Sequence, residues 1–493
     1  MALYLSKSDF MNYLKHPALL WLSKRQKDSL PPISETLQSI FNTGNEVDAL
    51  ARQRYPSGVL IEGYGEEAQQ ATLQVVESQA PVIFQAHFQA DDRTMCKTDI
   101  LQRVSDTAFD LHEVKMTASV KPEHYPDLAF QKRVLERCGI VVRRCYVTCI
   151  DTSYVREGEI EPEKLFKKTE VTEEVAKVGN EVEKQIGQAL EVLDRDECPN
   201  QSPRFGGTYR FSDWMGVYFH LHPELSPRSV FTLRNLTAET AAMLEDHGYE
   251  TIDEIADAAL MELSSAQRAH AEASRSEPHV NKQAIQKFLD ELQFPLYFLD
   301  YETISHAMPL FDGTRPYQAV PFQYSLHRLS ERGGELTHFE FLARDQNLPV
   351  AAMAEQLQQD LEPFGSVIVY TQYEQTQNDN MARMAPQYRQ FFDSLNDRLV
   401  DLWEPFSKGH YRHPDFGGSN SLKAILPALI HDLSYKGLSI QEGDTAQHRW
   451  RKAVFGEKTL KEREAVFADL LEYCKTDTLA TVRVYGRLCK DCA

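Results

Sequence analysis

Three short groups of residues have the types and spacing needed to hold a divalent cation. Asp99 and Glu113-Val-Lys115 fall on two neighbouring predicted strands, and in extended chain Glu113 and Lys115 point to the same side. Two carboxylates can bind a cation, and a lysine beside them can stabilise an attacking hydroxide or a developing negative charge. Asp300-Tyr-Glu302 closes a strongly apolar run, LYFLDYETI (296–304), so its two carboxylates also share one side. Far downstream, Tyr473 and Asp477 lie four apart in a helical pattern, on one helix face. Such acids suit metal-assisted hydrolysis with Mg²⁺ or Mn²⁺, ions that favour oxygen ligands.

The elements that must position these groups can be read from apolar periodicity. Helical patterns open the chain (Phe10, Tyr13, Leu14, then Leu19, Leu20, Leu22). Strands are expected at 81–89, 98–104, 108–115 and 140–150, with a helix over 127–138 between the last two, so this half reads as an α/β domain. Val175, Val178, Val182, Ile186, Leu190 and Leu193 mark one amphipathic helix. Residues 229–258 read as two helices capped by Thr237 and Thr251, the first ending at Gly248. That segment resembles a helix-hairpin-helix element, with Asn235 and Leu236 at the turn where glycine is usual. Residues 261–280 are polar and read as a linker. The last part predicts strands at 296–304, 321–329, 336–343 and 366–374. Its helices are expected around Met353–Leu361, 376–397, 420–433 and 460–489. The expected domains are 1–205, 206–284 and 285–493.

The chain has 493 residues, with 53 Lys plus Arg against 73 Asp plus Glu, a net charge of −20. A hydrophobic content of 42% supplies more than one core and excludes wholesale disorder. The acidic balance argues against electrostatic coating of nucleic acid, although cation-dependent sites are themselves acidic. No apolar run approaches the ~18–20 residues of a membrane span. The opening MALYLSKSDF lacks the features of a secretory signal, and eight cysteines are scattered rather than patterned. A cytoplasmic protein without membrane contact is expected.

The order strand–TDIL–strand–HEVK–helix with Gln131 resembles the RecB-like branch of the PD-(D/E)XK nucleases. The resemblance implies that Asp99, Glu113 and Lys115 form a catalytic core supported by Gln131, with Leu135 where that motif carries tyrosine. It also aligns Gly44-Asn-Glu-Val47-Asp48 with an early helix motif, giving Asp48 the place of a metal-binding histidine. Many such relatives clasp an iron–sulfur cluster. Here His16 and only Cys198 stand at the corresponding places, so no cluster is expected. Cys138, Cys145 and Cys149 read as buried apolar residues, and Cys489-x-x-Cys492 lacks a second pair for structural zinc.

The last domain resembles the DEDD exonucleases of the RNase H-like superfamily, in the tyrosine-bearing subtype. This implies metal ligation by Asp300, Glu302 and Asp477, with Tyr473 orienting water. The remaining acid is Glu374 in Tyr370-Thr-Gln-Tyr373-Glu374, with Asp379 as the alternative. Asp401 reads as structural, Ser421 as a helix cap, Lys423 as a phosphate contact, and His410 and His413 as loop residues. With YFLDYET, PFQYSLH and a DLW…GS.SLK region, nearly the whole chain resembles a bacterial family of uncharacterised two-domain proteins. The implied function is a metal-dependent nuclease acting on DNA, in repair or in defence against foreign DNA. DNA is favoured over RNA, and a protein partner is a further expectation. The alternatives are a 3′–5′ exoribonuclease, or a nucleic-acid-binding or partner-recruiting protein with inactive sites.

Overall fold

The computed structural model describes residues 3–492 and is α/β with mixed sheets. It divides into two compact units, one of residues 1–154, 158–232 and 236–250, the other of 155–157, 233–235 and 251–493. No helix among the described residues is long and apolar enough to cross a membrane.

In the first unit, Ser6 caps helix α1 (Lys7–Lys15) in a reciprocal box with Asp9. A helix over Pro17–Arg25 and then helix α2 (Glu35–Arg52) precede the main strands. Strands β1 (Val82–Gln89), β2 (Thr94–Arg103) and β3 (Ala108–Lys115) form an antiparallel meander. Helix α3 (His124–Arg137) crosses over to β4 (Val141–Ile150), parallel to β3, and β5 (Phe166–Glu170) returns antiparallel. Two-residue strands at Leu5–Ser6 and Val59–Leu60 complete seven. Phe10 of α1 stacks on Phe130 of α3 at 4.9 Å. Helix α4 (Thr172–Asp194) buries Val175, Val182, Ile186 and Leu193 in the same core. Cys145 and Cys149 are buried there too. Helix α5 (Ala238–Asp246), capped by Thr237, closes the unit.

The second unit has a five-stranded sheet. Along the chain its members are β6 (Leu296–Ile304), β7 (Val320–Leu329), β8 (Leu336–Leu342), β9 (Val367–Val369) and β10 (Leu399–Asp401). Across the sheet the order is β8–β7–β6–β9–β10. The first three are antiparallel, whereas β9 runs parallel to β6 and β10 parallel to β9. Alternation along β6 sends Tyr297, Leu299 and Tyr301 into one apolar layer and Leu296 and Phe298 into the other. Asp300 and Glu302 continue the row of Leu296 and Phe298 beyond its apolar part. Phe298 meets Tyr485 of the long terminal helix at 5.7 Å.

Several local expectations need correction. Thr251 caps only a single 3₁₀ turn, Ile252–Glu254, because the chain then becomes extended to bury Ile255. Asn235 does occupy the turn, at φ +52°, a region asparagine enters more readily than most side chains. Residues 261–280 contain not a loose linker but helix α6 (Ser265–Arg275), whose Gln267, His270, Ala271 and Ser274 are buried. Its polar side chains serve backbone groups nearby: Gln267 donates to Asn235 O at 3.1 Å and Arg275 to Ile252 O at 3.0 Å. The strand expected over 366–374 stops at Val369. Thr371 has φ +79° and gives its N–H to Asp401 Oδ1 at 2.8 Å, so helix α7 (Tyr373–Met384) starts there instead. Helix α8 (Leu422–Leu429) is shorter than expected. Helix α9 (Gly443–Phe455) was not anticipated, and the last helix, α10, spans Leu460–Cys492.

Candidate metal centres

In the first unit, β2 and β3 pair only as far as Ile100–His112. One step further the register would set Asp99 opposite Glu113, and there the side chain replaces the ladder: Asp99 Oδ2 accepts the Val114 N–H at 2.8 Å. Glu113 is buried and crowded. Lys7 and Lys115 each bring Nζ to 2.7 Å from its Oε1, and Gln131 donates to its Oε2 at 2.7 Å. Lys115 also pairs with Asp127 at 2.6 Å, and Gln131 reaches Asp127 at 2.9 Å. Burial pushes the Glu113 carboxyl up, but the charges of Lys115 and Lys7 outweigh it and hold it well below the ordinary range. Burial disfavours the ammonium of Lys115, yet Asp127 and Glu113 outweigh that and raise it. Asp99 is pushed up to about 7 by burial and by the charge of Glu113.

Asp48, on α2, lies within electrostatic reach of Glu113 and is raised chiefly by burial. Its Oδ2 meets Arg52 at 3.2 Å and Gln85 at 3.3 Å, while Oδ1 is buried without a hydrogen-bond partner. The fold therefore gathers Asp48, Asp99, Glu113, Lys115 and Gln131, and adds Lys7 and Asp127, the latter four residues before Gln131 on one face of α3, a spacing that signals it. Lys7 is 106 residues from Glu113 and carries no local signal. Leu135 is buried and apolar, so no hydroxyl replaces the missing tyrosine.

In the second unit the acids come from three elements. Asp300 and Glu302 leave β6, Glu374 the first turn of α7, and Asp477 the middle of α10. Glu374 is bonded to Asp300, whereas Asp379 faces outward and takes Asn396 at 3.0 Å. Glu374, not Asp379, is therefore the acid beside Asp300. Buried Tyr473 bonds to Asp477, whose Oδ1 also accepts the hydroxyl of Tyr435. Lys423 sends Nζ to Gln441 O at 2.8 Å, passing over the Tyr435 and Tyr473 rings at 5.7 and 5.9 Å from their centroids. Its charge still reaches Glu302 and Asp477. Gly443 opens α9 so close to Glu302 that a Cβ there would stand 3.6 Å from Oε2. Ser421 occupies the N-cap position of α8 without a side-chain capping bond, and Asp401 accepts the backbone N–H groups of Thr371 and Trp403, a structural role.

So many acids with one nearby lysine raise one another. Asp300 keeps part of its surface open, yet burial of its carboxyl and the Asp477 charge push it up to about 8. Asp477 rises to about 6, mainly by burial, with Tyr435 and Lys423 opposing. Burial and then Asp300 lift both Glu302 and Glu374 well above the ordinary range. Glu374 Oε2 is buried with no donor reaching it. A divalent cation suits this cluster: it would neutralise the crowded carboxylates and satisfy that oxygen. Among the described residues, one group of three metal-ligating side chains has its ligand atoms all within 4.8 Å of one another: Asp300, Glu302 and Cys474. The thiol was not anticipated, although Cys474 directly follows Tyr473. Asp48, Asp99 and Glu113 are not drawn so close.

Residues 297–421 match a domain family. It is described as a domain of unknown function, DUF2779. The matched stretch includes Asp300, Glu302 and Glu374 and stops short of Lys423, Tyr473 and Asp477. No curated protein matches the chain.

Proposed function

We propose that the protein is a metal-dependent nuclease with two sites, hydrolysing phosphodiester bonds of DNA in repair or in defence against foreign DNA. The observation that carries this reading is the convergence of Asp300, Glu302, Glu374 and Asp477 with Tyr473 and Lys423. A mixed sheet with acids at the end of its central strand is compatible with the RNase H-like resemblance. The meander, crossover helix and parallel strand of the first unit are compatible with the PD-(D/E)XK resemblance.

Asp300, Glu302, Glu374 and Asp477 would hold Mg²⁺ or Mn²⁺, whose charge activates water and stabilises the leaving oxygen. Tyr473, tied to Asp477, orients the attacking water. Lys423 contributes positive charge beside the acids, where a phosphate would otherwise be repelled. In the first unit Asp48, Asp99 and Glu113 would bind the cation, Lys115 stabilises the developing negative charge, and Gln131 holds Glu113 in place.

A second reading comes from the crowding of Glu113 by Lys7, Lys115 and Gln131: the second unit cleaves while the first only binds nucleic acid. The test is cleavage of end-labelled single- and double-stranded DNA and RNA with Mn²⁺ or Mg²⁺. Wild type is compared with Lys115→Ala and Asp300→Ala. Two working sites lose distinct products in the two variants. Loss only in Asp300→Ala supports the second reading, and RNA-only cleavage with 3′–5′ polarity replaces DNA by the exoribonuclease alternative. Salt-sensitive binding with no cleavage under either metal overturns the catalytic reading.

A further inference from the structure

We propose that Cys474 gives the acid cluster of the second unit a position for a thiophilic cation, Zn²⁺ by class, held by Asp300, Glu302 and Cys474. The proposal rests on the reading above in one respect, that the same acids hold the hydrolytic cation. Cys474 is fully buried, yet its Sγ lies 3.7 Å from Asp300 Oδ2. Sulfur and oxygen donors on one tetrahedral Zn²⁺, with bonds of about 2.3 and 2.0 Å, stand roughly 3.5 Å apart, so the pair is nearly at ligating distance. All three ligand atoms fall within 4.8 Å of one another. A cysteine kept for packing sits among apolar groups, whereas this one faces a carboxylate.

A second observation points to a cation at the same place. Glu374 is 2% exposed and touches Asp300, and its Oε2 is buried with no donor reaching it. Helix spacing adds direction: Cys474 and Asp477 are three apart on α10 and share a face. Mg²⁺ prefers oxygen and leaves a thiol alone, while Zn²⁺ takes sulfur readily. On Zn²⁺ coordination the S–H proton leaves to solvent and the sulfur lone pair binds the metal, with no change of oxidation state. A Zn²⁺ so held withdraws Asp300 and Glu302 from the hydrolytic cation, so the balance of Zn²⁺ to Mn²⁺ sets whether the second unit works.

The test uses the full chain and Co²⁺ as an optical stand-in for Zn²⁺. Wild type, Cys474→Ser, Cys474→Ala and Asp300→Asn are titrated while the near-ultraviolet thiolate-to-Co²⁺ charge-transfer band is followed. Zn²⁺ competition then gives relative affinity. The expected result is a band in wild type that Zn²⁺ removes, its absence in both Cys474 variants, and at least a tenfold weaker Zn²⁺ affinity there. Circular dichroism identifies any variant that fails to fold, and the near-isosteric serine then decides. A band that persists in Cys474→Ser, or a Zn²⁺ affinity unchanged by both substitutions, overturns the proposal. Mn²⁺-dependent cleavage, measured in parallel, keeps the two readings separate. Cleavage without a Cys474-dependent band removes only the thiophilic site, and the band without cleavage removes only the nuclease.

Discussion

Asp300 carries the sharpest consequences of any single residue. Its carboxyl is pushed up to about 8 from an ordinary 3.8, and Asp99 and Asp477 rise to about 7 and 6. A carboxyl whose folded value exceeds its unfolded one contributes stability that is full below about pH 4 and is lost as pH rises through the folded value. Burial holds His16, His112, His327 and His338 below their ordinary value, and these oppose the carboxyls up to about pH 6.5, so metal-free protein loses stability between about pH 6.5 and 8. Glu113 acts in the opposite sense, but its depressed value confines that loss to strongly acidic pH. Urea unfolding in EDTA at several pH values checks this, and a flat or rising profile across that window would refute it. For the same reason Asp300→Asn relieves repulsion. At pH 8 without metal it should raise the melting temperature, while lowering Mn²⁺-dependent cleavage at least ~100-fold through kcat. A residue with only a structural role would instead lower the melting temperature.

Among the elements, those with strong periodicity were readable from the chain itself. Strands β1 to β4 and β6 to β8, and helices α3, α4 and α10, stand close to their expected places because each carries an apolar face of period 2 or 3.6. Readings failed where side chains serve the backbone. Thr371 turns the chain at the end of β9 because Asp401 takes its N–H, and α6 packs polar residues that composition alone assigns to a linker. Close backbone approach was equally silent. Gly207 donates to Lys15 O at 2.8 Å, and a Cβ on it would stand 1.7 Å from Leu14 O. Gly207→Ala should therefore cost about 1–3 kcal/mol, as overpacking against backbone does, read as a lower denaturation midpoint. An unchanged midpoint would mean that the segment shifts freely away from α1.

For the whole molecule, two compact units each gather acids, and the net charge of −20 makes divalent cations natural stabilisers. A cation that binds only the folded state stabilises by RT ln(1 + [L]/Kd), about 2.7 kcal/mol at one hundred times Kd. Mn²⁺ should accordingly raise the melting temperature and EDTA should reverse the gain. Asp300→Asn should abolish the part that belongs to the second unit, and retention of the full gain there would place the cation elsewhere. Sequence alone determined the acids on β3 and β6, the Tyr473–Asp477 face and the strands that carry them, because those features lie within one element. Only the tertiary structure decided which distant groups meet them. Lys7 and Tyr435 enter the sites, and Glu374 rather than Asp379 meets Asp300, through packing between elements far apart in the chain. A side chain's partners across such distances leave no periodic trace in the sequence near it.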